Sequence, residues 1–143
     1  MRLTRAGEYA IRCILYLAAK GEGVLTSKKE IAARCEIPPQ FLSKIAQELQ
    51  KARIIEIRQG PKGGFILTRN PKDLTLLNVI EAIIGEIYLN DCIARPNQCT
   101  ASPKCPVHKV WNKAREQLRS TLDAVTFSEL ARDPNCLPDF SRE

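Results

Sequence analysis

A glycine-rich basic turn between two β-rich runs is the feature that most constrains the fold of this chain. The run 54–57 (IIEI) precedes the segment 58–64 (RQGPKGG), and the run 65–67 (FIL) follows it. Glycine permits a tight turn and a close approach to another backbone, and β-branched and aromatic residues favour strands. The pattern predicts an antiparallel hairpin with a basic tip. An ordinary hairpin with a solvated tip is the alternative.

Helical periodicity precedes the hairpin. Between Arg5 and Lys20, apolar residues recur at intervals of three and four, which predicts a largely buried first helix. Ser27 and Glu30 then have the spacing of a capping box, in which a side chain satisfies free amides at a helix start. A second, short helix is therefore expected to begin there and to end near Cys35.

A third helix is expected to begin at a proline pair. Pro38 and Pro39 suit a first helical turn, because proline has no amide to lose there. The predicted core positions of this helix are Phe41, Leu42, Ile45 and Leu49. Polar residues lie between them, namely Gln40, Ser43, Lys44 and Gln47. Two short helices joined by a tight turn predict a helix-turn-helix, and the following hairpin then makes a wing. A small helical bundle can show the same helical pattern.

A longer helical pattern occupies the second half of the chain. After the break at Asn70–Pro71, a fourth helix is predicted over 74–84, then a loop over 86–105 and a helix over 106–125. An apolar stripe runs along this last helix through Val107, Val110, Trp111, Ala114, Leu118, Leu122 and Val125. Because the small domain leaves little for so long a stripe to cover, we expect it to pack on a second copy in a homodimer. A helix folded back on its own chain is the alternative.

The predicted fold class is mainly α with a small β hairpin. Residues 1–71 form a winged helix-turn-helix domain in this interpretation. Residues 72–143 supply a connecting helix, a cysteine sensor loop (86–108), the dimerisation helix (106–125) and a tail.

Charge is unevenly distributed along the chain. The formal net charge is +6; residues 1–69 hold 13 Lys and Arg against 6 Asp and Glu, and residues 70–143 hold 9 against 10. The first part is therefore +7 and the second −1. A concentrated positive field indicates a polyanionic partner, most simply double-stranded DNA. A solvated basic face kept for solubility is the alternative.

Three cysteines and the single histidine lie close together in the second half. Their order is Cys92-x6-Cys99-x5-Cys105-x2-His108. Thiolates and imidazole are ligands for iron–sulfur clusters and for zinc, and intervals this wide favour a cluster over a zinc knuckle. Lys104 and the start of the following helix are expected to help keep the thiolates ionised. Zinc and metal-free redox thiols stay open as alternatives.

The remaining cysteines and the overall composition narrow the class of protein. Cys13 and Cys35 are expected to be small buried hydrophobic residues, and Cys136 has no assigned role. The chain lacks a run of about 20 apolar residues and a secretory signal, so we expect a cytoplasmic protein without a membrane partner. We find no catalytic constellation, phosphate-binding loop or sign of a small-molecule substrate, so an enzyme is not expected. A small iron–sulfur electron carrier is the rival from another class.

Four stretches of sequence carry a family resemblance. MRLTRAGEYAIRCILYLA, EIAARCEIPPQFLSKIAQELQKARII, RQGPKGGFIL and the C…C…C-P-V-H-K-V-W pattern closely resemble the bacterial winged-helix regulators that include IscR, NsrR, RirA and CymR. The resemblance covers nearly the whole chain. It implies a dimeric repressor or activator whose cluster state changes its affinity for operator DNA in response to cluster supply, iron, nitric oxide or oxidants.

The resemblance also implies ligands for the cluster. Cys92, Cys99 and Cys105 match the three cluster thiolates. His108 matches the fourth ligand of IscR-type members, and Glu8 lies where NsrR-type members use a carboxylate of the partner subunit. A 2Fe–2S cluster is favoured over a 4Fe–4S cluster. The first interval has six residues rather than the usual five, which leaves the fourth ligand and the cluster type open.

The DNA contacts are predicted from the winged-helix arrangement. The start of the third helix is expected to face the major groove through Pro39, Gln40, Ser43 and Lys44. The wing and its surroundings are expected to meet phosphates or the minor groove through Arg58, Gln59, Lys62, Arg2 and Lys28. A dimer should then bind a pseudo-palindrome with half-sites about one helical turn, or a multiple of it, apart. A regulator of the same fold that senses thiol oxidation or a protein partner is the closest alternative.

Overall fold

Helices make up most of the chain in a computed structural model, which describes residues 3–89, 95 and 104–135. The described elements are α1 (Arg5–Lys20), α2 (Lys28–Arg34), α3 (Pro39–Lys51), β1 (Ile55–Arg58), β2 (Gly64–Leu67), α4 (Leu76–Ile84), α5 (Pro106–Asp123) and α6 (Phe127–Arg132). The two strands pair antiparallel, from Ile55 opposite Leu67 to Arg58 opposite Gly64. The predicted fold class, mainly α with a small β hairpin, is confirmed.

The first two helices begin at the residues that the sequence indicates. The Thr4 hydroxyl accepts the amide of Gly7 at 3.1 Å, and the Ser27 hydroxyl accepts the amide of Glu30 at 3.1 Å. These caps satisfy amide donors that have no partner inside the helix. The Tyr16 hydroxyl donates to the Glu30 carboxylate at 2.7 Å and so ties α1 to α2.

The turn between α2 and α3 requires one residue in the left-handed region. Glu36 has φ 53°, an uncommon conformation for a residue with a side chain, and Pro39 then occupies the first turn of α3. Leu42, Ile45 and Leu49 of α3 are buried as predicted. Phe41 is not: it is 40% exposed, so its placement in the core was wrong. Consecutive helical residues differ by about 100°, so the ring beside Leu42 falls on the flank of the buried stripe.

The hairpin is joined to the helical core by a third segment. Thr26, just before α2, exchanges two backbone hydrogen bonds with Phe65 of β2, at 3.0 and 2.8 Å. This pairing brings the backbone of Gly64 so close that a Cβ there would lie 2.1 Å from the Thr26 carbonyl oxygen. Glycine is therefore required at position 64 by contact with another backbone. The hairpin is consequently fixed against the start of α2.

The C-terminal helices share the core of the N-terminal segment. Phe127 at the start of α6 is fully buried, and its amide donates to the Leu74 carbonyl at 2.9 Å. Both α4 and α6 pack against α1. Helix α4 begins at Leu76, two residues after the predicted start, because Thr75 is its N-cap. Helix α5 ends at Asp123, two residues before the predicted end.

Candidate nucleic-acid interface and metal centre

The first turns of α3 present the predicted reading face. Pro39, Gln40 and Lys44 are exposed, and Ser43 is half-buried. The Ser43 hydroxyl donates to the Pro39 carbonyl at 3.2 Å and accepts a hydrogen bond from the ammonium group of Lys28. Lys28, the first residue of α2, is thus held beside the start of α3. The structure brings these five predicted residues together on one surface.

An open groove of about 680 Å³ separates α3 from the hairpin; we call it the wing groove. It is lined by Ser27, Lys28, Lys29, Ser43, Ala46, Gln47, Gln50, Ile57, Arg58, Gln59, Gly60, Pro61, Gly63, Gly64 and Phe65. Its polar lining carries cations and amides and no carboxylate among these residues. A phosphate or a base edge finds donors on both walls, from α2 and α3 on one side and from the wing on the other.

Part of this lining was not predicted from the sequence to contact DNA. Lys29, Gln47 and Gln50 lie in the wing groove. The side-chain carbonyl of Gln50 accepts the amide of Ile57 at 2.7 Å, so it ties α3 to β1. The signal available in the sequence was the i, i+3 and i+7 spacing of polar residues on α3, which puts Gln47 and Gln50 on the face of Gln40 and Ser43.

The wing carries the predicted basic and amide side chains at its tip. Arg58, Gln59 and Lys62 are exposed. The Arg58 guanidinium donates to the Glu56 carboxylate at 3.4 Å, an exposed pair that holds it only weakly. Arg2, the remaining predicted DNA contact, lies outside the described residues.

Two of the predicted metal ligands occupy the start of α5. Cys105 is the N-cap residue, a half-buried free thiol, and His108 lies three residues later, so both are on one side of the first helical turn. The Nδ1 atom of His108 is buried and has no hydrogen-bond partner among the described residues. Buried polar atoms are normally paired, so an unmatched ring nitrogen beside a free thiol fits a metal or cluster ligand set.

The structure does not bring the other predicted ligands together with Cys105 and His108 among the described residues. Cys92 and Cys99 lie outside the described residues, as does Cys136. Glu8 is exposed in the first turn of α1. Within the described part of the chain, no three Cys, His, Asp or Glu side chains form a group that could hold a metal ion.

The chain entering the cysteine segment is held by two arginines of α5. Arg115 donates to the Ile87 carbonyl at 2.6 Å and stacks on the Tyr88 ring, with its guanidinium carbon 4.6 Å from the ring centroid. Arg119 donates to the Glu81 carboxylate at 2.7 Å, and the same carboxylate accepts the Ile87 amide at 3.1 Å. These contacts join α4, α5 and the first residues of the predicted loop.

The other two described cysteines have the environment predicted for hydrophobic residues. Cys13 and Cys35 are fully buried. Burial raises the pKa of the Cys13 thiol well above its usual range, and burial raises the pKa of Cys35 to about 12. Neutral thiols of this kind are poor nucleophiles and poor metal ligands. Both cysteines therefore act as core residues.

The apolar stripe of α5 divides into two parts. Leu118 and Leu122 pack against Leu77, Ile80 and Ile87 of the same chain. Near the start of the helix, Val107 is 55%, Val110 64% and Trp111 40% exposed. Ala114 and Val125 are half-buried. The alternative of a helix folded back on its own chain thus describes the last turns of α5, and an uncovered apolar surface remains at its start.

No described helix has the length and apolar character that a membrane span requires.

Comparison with known proteins finds relatives over most of the chain. Residues 3–133 match the Rrf2 family, described as an iron-dependent transcriptional regulator. The HTH-type transcriptional regulator NsrR of Geobacillus kaustophilus is 34% identical over 144 residues, which is 100% of this chain and 98% of that protein. The crystal structure of oxidised Staphylococcus aureus CymR is 25% identical, with a TM-score of 0.70 over 92% of this chain and 97% of that one. The T. potens IscR structure is 24% identical, with a TM-score of 0.67 over 93% and 88%, and shares the fold.

Proposed function

The chain belongs to the Rrf2 family of transcriptional regulators, and from this premise we propose that it is a homodimeric DNA-binding regulator whose affinity for its operator is controlled by an iron–sulfur cluster. The family resemblance found in the sequence is confirmed, and the chain is a transcription regulator. The relatives are named as transcriptional regulators, which favours a regulator over the electron-carrier alternative.

The wing groove carries the DNA-binding part of the proposal. Lys28 and Lys29 line its helical side and Arg58 lines its wing side, so cations border both walls. Cations in this arrangement neutralise phosphates on either side of a helix that enters the major groove. The reading residues we propose are Pro39, Gln40, Ser43 and Lys44. Arg2, Lys28, Arg58, Gln59 and Lys62 are the proposed phosphate or minor-groove contacts.

The start of α5 supports the cluster-binding part. A free thiol at Cys105 and the unmatched ring nitrogen of His108 are soft and intermediate donors on one helical turn. We propose Cys92, Cys99 and Cys105 as thiolate ligands and His108 as the fourth, with Glu8 of the partner subunit as the alternative. A bound cluster, 2Fe–2S in our proposal, supplies reactivity toward electrons, oxidants and nitric oxide. The chain's own contribution is to hold it through α5.

A chain of contacts connects the start of the cysteine segment to the helices that carry the proposed DNA-binding residues. Arg115 and Arg119 connect residue 87 to α4 and α5, and α4 packs on both α1 and α3. A ligand of the loop can shift DNA affinity only as far as it binds two arrangements of the protein differently. We propose residues 1–71 as the reading part and 72–143 as the sensing and dimerising part.

Anaerobic purification tests the cluster directly. We expect a brown protein whose visible absorption coincides with stoichiometric iron and sulfide, and Cys99→Ala should lose both. Cys136→Ala, which removes a thiol outside the proposed ligand set, is the matched control and should keep them. A colourless wild-type protein that holds no iron yet binds DNA would leave a regulator of the same fold that senses thiol oxidation or a protein partner.

A further inference from the structure

An exposed aromatic ring lies at the start of α3. Phe41 is the third residue of the helix and is 40% exposed, although its neighbours Leu42 and Ile45 are buried. A single exposed phenylalanine on a protein surface needs no functional explanation. Phe41 differs from an ordinary exposed phenylalanine in its position, because the first residues of a recognition helix are those that contact base edges.

The Phe41 ring packs against the Tyr9 ring of α1. The Phe41 and Tyr9 rings form an edge-to-face pair with centroids 5.7 Å apart and planes inclined at 66°. Tyr9 is itself buried, and the guanidinium carbon of Arg12 lies 5.5 Å from the centroid of its ring. Edge-to-face aromatic pairs are attractive, so this contact favours one orientation of the Phe41 ring. Phe41 is therefore a rigid apolar projection supported by α1.

The polar neighbours of Phe41 on α3 are the residues proposed to read bases. Gln40 precedes it, and Lys44 is three residues later and therefore adjacent on the helix surface. Both side chains are exposed. When Gln40 and Lys44 approach the floor of the major groove, the Phe41 ring approaches its wall. The apolar group that the major groove presents there is the 5-methyl group of thymine.

We infer that Phe41 contacts the methyl group of a thymine in each half-site and is a specificity-determining residue in addition to the polar ones. The inference rests on the proposed DNA-binding function and adds the base that this position prefers. The ring itself gains nothing from the cytosine or guanine edge, which presents polar groups. The methyl contact selects thymine at one position of the half-site.

The test compares thymine with uracil, which differs only by the methyl group. The full chain is used to select its preferred duplex from a random pool. Each thymine in one half-site is then replaced in turn by deoxyuridine. We expect one replacement to weaken wild-type binding about fourfold, the factor that corresponds to removing one buried methyl-sized group. Replacements at the other thymines should leave the affinity unchanged.

Variants of Phe41 assign the effect to the ring. Phe41→Ala should bind the thymine and uracil duplexes equally, while Phe41→Leu should still prefer thymine. Thermal unfolding of both variants separates a loss of contact from a loss of fold. The inference is overturned if no thymine is sensitive, or if Phe41→Ala keeps the full thymine preference. If the chain selects no duplex at all, the proposed DNA-binding function fails first, and that result is distinct from the other two.

Discussion

Lys62 and Gln40 should contribute to DNA binding in different ways. Lys62 is an exposed cation of the wing, and Gln40 is an exposed amide at the start of α3. Lys62→Ala should weaken binding to all sequences alike and reduce the slope of log K against log salt by about 1. Gln40→Ala should cost about 1–3 kcal/mol at one base pair and relax the preference there. Titrations of matched and mismatched duplexes at several salt concentrations measure both effects.

The assignment of roles has a clear contrary result. A Lys62→Ala variant that changes sequence preference would contradict the role of Lys62 as a phosphate contact. A Gln40→Ala variant that weakens binding to every duplex equally would contradict the role of Gln40 in base reading. Circular dichroism of each variant is the control, because both side chains are exposed and neither change should alter the helix content.

The buried thiols predict how stability depends on pH. Burial raises the pKa of Cys35 from 9.0 to about 12, so the folded chain retains a proton that the unfolded chain loses above about pH 9. The stabilisation is complete below that pH and is lost as pH rises toward 12, because the folded state then binds more protons than the unfolded state. Cys35→Ala should make this decline shallower, by at most about 1.4 kcal/mol per pH unit.

Urea unfolding at pH 8 and pH 10, under a reducing agent, measures this slope. The Cys13 thiol is present in both proteins, so the difference between the two slopes measures Cys35 alone. Equal slopes in the wild type and Cys35→Ala would show that Cys35 is hydrated in the folded protein.

At the scale of single residues, features that depend on local spacing were predictable, and features that depend on packing were not. The helix cap at Ser27 could be inferred because it depends on local spacing, and the Ser27 hydroxyl accepts the expected amide of Glu30. The exposure of Phe41 could not, because a flank position and a core position of a helix have the same spacing until the neighbouring helix is placed. The left-handed turn at Glu36 was also hidden, since the usual glycine signal is missing there.

Within the hairpin, two glycines should differ in their tolerance of alanine. Gly60 has φ 98° but open space around a Cβ, whereas a Cβ at Gly64 would lie 2.1 Å from the Thr26 carbonyl oxygen. Gly60→Ala should therefore cost only the strain of the left-handed region, about 1–2 kcal/mol. Gly64→Ala must also separate β2 from Thr26, and we expect a loss of at least about 3 kcal/mol.

Chemical unfolding of the two variants provides the comparison, with Gly60→Ala as the matched control in the same turn. Equal losses would mean that the pairing between Thr26 and Phe65 contributes nothing beyond the turn itself. DNA affinity should fall in Gly64→Ala as well, because the wing groove depends on the position of β2.

The elements themselves were largely predictable, and their packing was not. The bounds of α2, α3 and the hairpin follow from caps, prolines and glycines that act locally. That α6 returns to bury Phe127 beside Leu74 has no local signal, because it depends on contacts between distant parts of the chain. The stripe of α5 looked uniform in sequence, yet its last turns pack on α4 and its first turns do not.

The uncovered start of α5 predicts how the whole molecule assembles. Val107 and Val110 are 55% and 64% exposed, so a Val107→Ser/Val110→Ser double variant should keep the fold of one chain. If this surface forms the proposed homodimer, the change removes apolar contact between copies and should produce monomers. Sedimentation equilibrium at micromolar concentration measures the mass. Lys113→Ser, an exposed change on the same helix, should remain dimeric.

Two results would oppose this dimer. A double variant that stays dimeric would place the interface elsewhere, and a monomeric wild type would remove it. Monomers should also bind a half-site far more weakly than the dimer binds the full operator, because the second contact is then no longer intramolecular.

At the scale of the whole molecule, the sequence predicted which segments bind DNA and sense a signal, and it left their assembly open. The charge difference between the two halves of the chain indicated DNA, and the wing groove now shows where several of those cations lie. A sensor segment was predicted from the spacing of its candidate ligands. The positions of four ligands around one cluster cannot be predicted from sequence spacing. They depend on the conformation of the loop and, for Glu8, on a second subunit.

The central claim is that the cluster changes the affinity for DNA, and one comparison tests it. The Kd for the same selected duplex is measured anaerobically for the cluster-loaded protein and for the protein after cluster removal, at one salt concentration. We predict values that differ at least about fivefold, the lower end of ordinary coupling between two sites. Cys99→Ala should bind like the cluster-free protein under both treatments. Equal Kd values for a protein shown to carry the cluster would contradict the account.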